Sequence, residues 1–86
     1  METNTKRQEK QIVKDFSLGM YDKIQKRHNR FQPLGWKTMD TKRLLALLTN
    51  ELEELKEAID SDVIEDIKDE AIDVANYAMF IYEKTK

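Results

Sequence analysis

An all-α fold is expected from this sequence: a three-helix subunit that forms a four-helix-bundle core through oligomerisation. Three observations point there. The apolar residues recur at helical period, and no segment alternates at strand period. Charged residues make up 37% of the chain, with two Gly and one Pro, a composition that suits helices and leaves few turns. The stretch from Ala71 to Tyr82 is apolar on every side except at Asp73 and Asn76, and a helix that is apolar all round asks to be buried all round. A chain of this size hides roughly 60–65% of its unfolded surface. Its monomer core is therefore marginal, and a second subunit is expected to complete it.

Residues 1–9 carry no apolar side chain after Met1 and are expected to form a flexible N-terminus. Residues 10–86 then form a single all-α domain. From Lys10, the positions Ile12, Val13, Phe16, Met20, Tyr21 and Ile24 trace one helical stripe. Gly19 lies inside it and weakens the helix by about 1 kcal/mol against Ala. The segment from Phe31 to Thr38 holds the single Pro and the second Gly, and it ends helix 1 as a loop. Thr38 or Asp40 can cap the next helix. Helix 2, about Thr41 to Asp60, presents Leu44, Leu45, Leu47, Leu48, Leu52, Leu55 and Ile59 as a wide apolar face. Ser61-Asp62 reads as a short turn with an N-cap, and helix 3 runs from about Val63 to Glu83.

The chain has no Cys and one His, so disulfides, thiolate sites, cysteine nucleophiles and multi-His zinc sites within one chain are excluded. No apolar run approaches the roughly 20 residues of a membrane span. Met1 to Lys14 lacks the apolar core of a signal peptide, so a cytoplasmic protein without a membrane partner is expected. The net charge of -2 conceals an asymmetry: residues 1–43 hold eleven Lys/Arg against five Asp/Glu, and residues 44–86 hold four against twelve. A basic half is joined to an acidic half.

Helix geometry divides the acidic residues into two kinds. At about 100° per residue with Leu44 at zero, Leu48, Leu55 and Ile59 fall within about 60° of it, and Glu51 falls at about 340° among them. Glu54 lies about 60° further round beside Leu47, while Glu53 and Glu57 face solvent at about 180° and 220°. On helix 3, with Ile67 at zero, Glu70 lies at about 300° inside the stripe of Ala71, Val74, Ala78 and Ile81, with Asp73 about 60° beyond. Each helix thus offers two carboxylates at i and i+3 that face one way. Burying unpaired carboxylates is costly and four together repel. Oxygen ligation of Mg²⁺ or Mn²⁺ relieves both costs. The plainer alternative is that the four reach water from the edge of the stripe.

The segment Asn50-Glu51-Leu52-Glu53-Glu54-Leu55-Lys56-Glu57-Ala58-Ile59, followed by Asp69-Glu70-Ala71-Ile72-Asp73-Val74-Ala75-Asn76-Tyr77, resembles the MazG-like branch of the all-α nucleoside triphosphate pyrophosphohydrolase superfamily. The family pattern is E-E-x-x-E, a spacer, then E-x-x-D. Aligned on Ala58-Ile59, Glu51 and Glu54 match its second and third glutamates, and Glu70 and Asp73 its E-x-x-D. Leu34-Gly35-Trp36 also resembles a Gly-Trp element of small members. The similarity covers about residues 28–83. The resemblance implies a homodimer or homotetramer around a four-helix core, with Glu51, Glu54, Glu70 and Asp73 as Mg²⁺ ligands (Mn²⁺ being the alternative). Water then attacks the α-phosphorus of a nucleoside triphosphate to give a monophosphate and pyrophosphate, with Glu51 and Glu54 in catalytic roles. Asn50 stands where the family has its first glutamate, and Asn cannot act as a base at neutral pH. The register beginning at Glu53 would make Glu57 a ligand on the face opposite the leucines, and is rejected.

Asn76, one turn after Asp73, is a candidate to hydrogen-bond the sugar or base. The alternative is a buried amide satisfied by its neighbours. Trp36 can stack on a base, although plugging the loop against the core explains it more simply. Lys42 and Arg43, with Lys26, Arg27, Arg30 and Lys37, can meet phosphate oxygens, and Lys42 is the substrate-binding candidate among them. His28 is assigned no role. The competing functional reading is a non-catalytic module for helical oligomerisation or nucleotide binding. Nucleic acid is not an expected partner, because neither aromatic RNA-binding motifs nor helix-turn-helix spacing occur.

Overall fold

The structure is a computed structural model and describes residues 3–27 and 34–86. Three long helices account for most of them: α1 (Asn4–Arg27), α2 (Thr41–Ser61) and α3 (Ile64–Lys84), with a 3₁₀ turn at Gly35–Thr38 before α2. No strand occurs among the described residues. The all-α expectation holds at the level of one chain. α3 is the central element, since α1, α2 and the 3₁₀ turn all pack against it.

α1 begins well before Lys10. Thr3 caps it: the Thr3 hydroxyl accepts from the Lys6 amide at 3.1 Å, and the Thr3 carbonyl accepts from the Arg7 amide at 3.1 Å. The segment expected to be frayed thus contributes α1's first turns from residue 4 onward, all exposed. Lys, Arg, Gln and Glu are good helix formers without any apolar requirement. The loop expected over Phe31 to Thr38 falls partly outside the described residues, as do His28 and Arg30. From Leu34 it becomes the 3₁₀ turn, with the Thr38 hydroxyl donating to the Gly35 carbonyl at 2.9 Å.

Asp40, rather than Thr38, caps α2, its carboxylate accepting from the Arg43 amide at 2.8 Å. At the far end, the expected N-cap role for Asp62 is overturned. Asp62 closes α2 in the left-handed region at φ 56, with its amide donating to the Ile59 carbonyl. Asp tolerates that conformation better than most residues with a Cβ. Val63 precedes α3 without a side-chain cap bond. The tight junction folds α2 back along α3 as a helical hairpin.

The core is small. Among the described residues, Leu44, Ala58 and Phe80 are the buried apolar ones, and Asp73 and Asn76 are buried with them. Trp36 stacks on Phe80 at 5.0 Å between ring centroids, and Tyr77 meets Phe80 edge-on at 5.8 Å. α1 approaches α3 at Gly19, where an added Cβ would lie 2.9 Å from Ile72 Cδ1. The glycine read as a weakness in the helix is also a point where α1 lies close against Ile72 of α3. All-round burial of α3 is not found within one chain: Ala78 and Tyr82 are exposed. The stripe of Ile12, Val13 and Phe16 on α1 is also exposed, Ile12 at 67%.

Candidate functional site

α2 and α3 bring three of the four expected carboxylates together, and Glu54 is not among the converging three. One oxygen each from Glu51, Glu70 and Asp73 lies within 4.8 Å of the others. The i, i+3 spacing of Glu70 and Asp73 on α3 puts that pair on one face, and the hairpin turns Glu51 of α2 toward it. Glu51 and Glu70 are half-buried and Asp73 is buried. Glu54 is exposed, at the solvent edge of the group, and interacts with both glutamates. Glu53 and Glu57 are exposed, as their helix angles required.

The electrostatics record the crowding. Burial first, then the neighbouring Glu70, Asp73 and Glu54, pushes the Glu51 carboxyl up to about 8. Burial also raises Glu70, reinforced by Glu54 and Asp73, while Glu51 works the other way. Glu51 Oε2 and Glu70 Oε2 are buried with no hydrogen-bond partner. Buried polar atoms are normally paired, so two orphaned carboxylate oxygens on facing helices are an unusual arrangement.

Asp73 is treated differently. Lys23 Nζ donates to its Oδ2 at 3.1 Å and Arg27 Nη2 to its Oδ1 at 3.0 Å. Lys23 also pairs with Asp69 at 2.6 Å. Burial works to lower the Lys23 pKa, but Asp69 and Asp73 outweigh it and raise it. Arg27 is raised as well, against burial, by Tyr77, Asp73 and Glu51. Its Nη1 donates to the Tyr77 hydroxyl at 3.4 Å, and its guanidinium lies 5.5 Å from the Tyr77 ring centroid.

Two cations from α1 border the carboxylate group without being expected there. The sequence alone suggests no role for Lys23 and offers Arg27 only as one of several cations available to phosphate. A signal was present: with Met20 at zero, Lys23 falls at about 300° and Arg27 at about 340°, inside the stripe that contains Phe16 and Ile24. They share a face with apolar residues, as the four acids do.

The other candidates are dispersed. Asn76 is 1% exposed. Its Nδ2 donates to the Met20 carbonyl of α1 at 3.3 Å, while its Oδ1 is buried and unpartnered. Trp36 has one ring face on Phe80, with Lys37 Nζ 6.0 Å from its ring centroid. Lys42 and Arg43 are exposed in the first turn of α2, and Lys42 is about 14 Å from Glu51 along the helix axis. Asn50 is exposed.

No helix among the described residues is long and apolar enough to cross a membrane. A protein of Archaeoglobus fulgidus, itself uncharacterized, is 35% identical to this chain over 75 residues, spanning 85% of the chain and 81% of the relative. No family model matches the chain, and no solved structure matches it.

Proposed function

The chain belongs to the same family as this archaeal protein, and for it we propose Mg²⁺-dependent hydrolysis of nucleoside triphosphates to nucleoside monophosphate and pyrophosphate, as in MazG-like pyrophosphohydrolases. One observation carries the proposal: Glu51, Glu70 and Asp73 converge within 4.8 Å while two of the oxygens there are buried and orphaned. An all-oxygen donor set of several carboxylates suits a hard divalent cation, and cation ligation would satisfy the orphaned atoms. The residues present therefore fit the ion.

Glu51, Glu54, Glu70 and Asp73 would hold it, with Mn²⁺ as an alternative to Mg²⁺. Bound there, it would supply neutralisation of charge on the phosphate oxygens. The chain's own groups do the rest. Glu54 stands at the solvent edge, where it can accept a hydrogen bond from water and orient it toward the α-phosphorus. Glu51 is the second group placed to take the water's proton. The bond from the α-phosphorus to the bridging oxygen breaks, and pyrophosphate departs with that oxygen. The proposal includes a second subunit, supported by the exposed Ile12, Val13 and Phe16 stripe, which would complete a four-helix core. A cytoplasmic setting goes with a nucleotide substrate.

The test is pyrophosphate release from a panel of (d)NTPs with Mg²⁺, using Glu51→Gln and Asp73→Asn as controls. Metal-dependent turnover lost in both variants is expected. Absence of turnover with every nucleotide defeats the enzyme proposal, and unchanged turnover in both variants defeats the site.

A further inference from the structure

Charged side chains from all three helices meet where they converge, and they are not equally satisfied. Glu51 and Glu70 each keep a buried oxygen without a partner. Asp73, by contrast, has both oxygens engaged, Oδ2 by Lys23 and Oδ1 by Arg27. Any cation drawing one oxygen from each of Glu51, Glu70 and Asp73 must therefore take an Asp73 oxygen that already accepts from α1. Two positive charges within hydrogen-bond reach of a carboxylate oppose a third cation there. Once Asp73 is taken, Arg27, and Lys23 still paired with Asp69 at 2.6 Å, would stand beside whatever anion the cation brings.

We propose that Lys23 and Arg27 are exchangeable counter-ions of Asp73: they neutralise it in the metal-free chain, and they turn to phosphate oxygens once a divalent cation takes its carboxylate. The exchange rests on the metal-binding reading of the carboxylate group and adds to it a device for order. Cation binding releases phosphate-binding groups that were otherwise occupied, so metal and polyphosphate favour each other beyond direct chelation. Arg27 suits the second role because its planar fork matches phosphate geometry. The Tyr77 hydroxyl, already bonded to Nη1 at 3.4 Å, holds the guanidinium near the site during the exchange.

The test uses Mn²⁺ alone and Mn²⁺ with inorganic tripolyphosphate, which removes any dependence on the base. Both are measured by calorimetry on the full chain and on Lys23→Gln/Arg27→Gln. The variant is expected to bind Mn²⁺ alone about three- to tenfold more tightly, and to bind tripolyphosphate in the presence of Mn²⁺ more weakly by a similar factor. A purely structural role would weaken both. Lys23→Arg keeps the charge and is expected to behave like the native chain. Lys23→Gln alone, checked for helicity, covers failure of the double variant to fold and is expected to shift both affinities in the same directions by a smaller factor. Unchanged or weaker Mn²⁺ binding by the folded variants overturns the exchange. Tighter Mn²⁺ binding with tripolyphosphate affinity unaltered overturns its phosphate half. No Mn²⁺ binding by native chain or variant overturns the metal reading itself, and the exchange with it.

Discussion

Glu51 on α2 and Glu70 on α3 face each other, each with its Oε2 buried and unpartnered. Without a cation the pair carries a pH-dependent cost. The Glu51 carboxyl stands at about 8, well above its ordinary 4.5. Between those values the unfolded chain has released a proton that the folded chain still holds. Stability therefore falls as pH rises through that window. Thermal unfolding in chelator is expected to show Tm decreasing from pH 5 to pH 8.5. Glu51→Gln should flatten that slope, and so should added Mg²⁺. A slope unchanged by Glu51→Gln would assign it to another group.

Asp73 is the anchor for α1. Replacing it with Asn leaves Lys23 and Arg27, both partly buried, without their shared counter-charge. A loss of about 1–3 kcal/mol is expected in chemical denaturation, below the cost of breaking a fully buried pair because both cations reach solvent. Lys23→Met/Asp73→Asn should recover part of it. Equal losses in the single and double variants would deny the coupling.

Gly19 and Ile72 test the packing of α1 on α3. Gly19→Ala gains helix propensity but places a Cβ 2.9 Å from the flexible end of Ile72. These effects oppose, and a net change under about 1 kcal/mol is expected. Gly19→Leu cannot be absorbed by one methyl shifting and should cost about 1–3 kcal/mol. Comparable urea midpoints for the two variants would show that α1 does not dock closely at Gly19.

Trp36 is held by its stack on Phe80. Trp36→Ala should lose about 2 kcal/mol of stability through lost burial and ring contact. Trp36→Phe should keep most of it and leave nucleotide affinity unaltered. A large fall in nucleotide affinity in a stable Trp36→Phe chain would instead return the indole to the base-stacking role.

The sequence revealed the features that depend on helical period. The faces of Glu51 and Glu70 and the solvent side of Glu53 and Glu57 follow from about 100° per residue. Features set between helices were less legible. Gly19 looks like a defect until the distance to Ile72 is known. Asp62 carries a side chain suited to an N-cap, yet the chain reversal places it in the left-handed region. Lys23 and Arg27 lie on the apolar stripe of α1, the same pattern as the acids of α2 and α3 with the opposite sign.

The α1 stripe leads to the last prediction. Ile12, Val13 and Phe16 are exposed, at 67%, 66% and 42%, although their spacing is that of a core face. Grouped exposed apolar side chains mark association surfaces more often than single ones do. If a second copy covers this face, sedimentation should show a dimer or tetramer in the native chain. Ile12→Glu/Phe16→Glu should shift it to monomer, because a carboxylate in an apolar contact costs several kcal/mol unless it is paired. Glu51 lies outside this stripe, so Glu51→Gln is the matched control and should leave the assembly intact. A native chain that sediments as a monomer throughout the micromolar range would exclude the four-helix core from this protein. The carboxylate group, formed within one chain by α2 and α3, would stand without it.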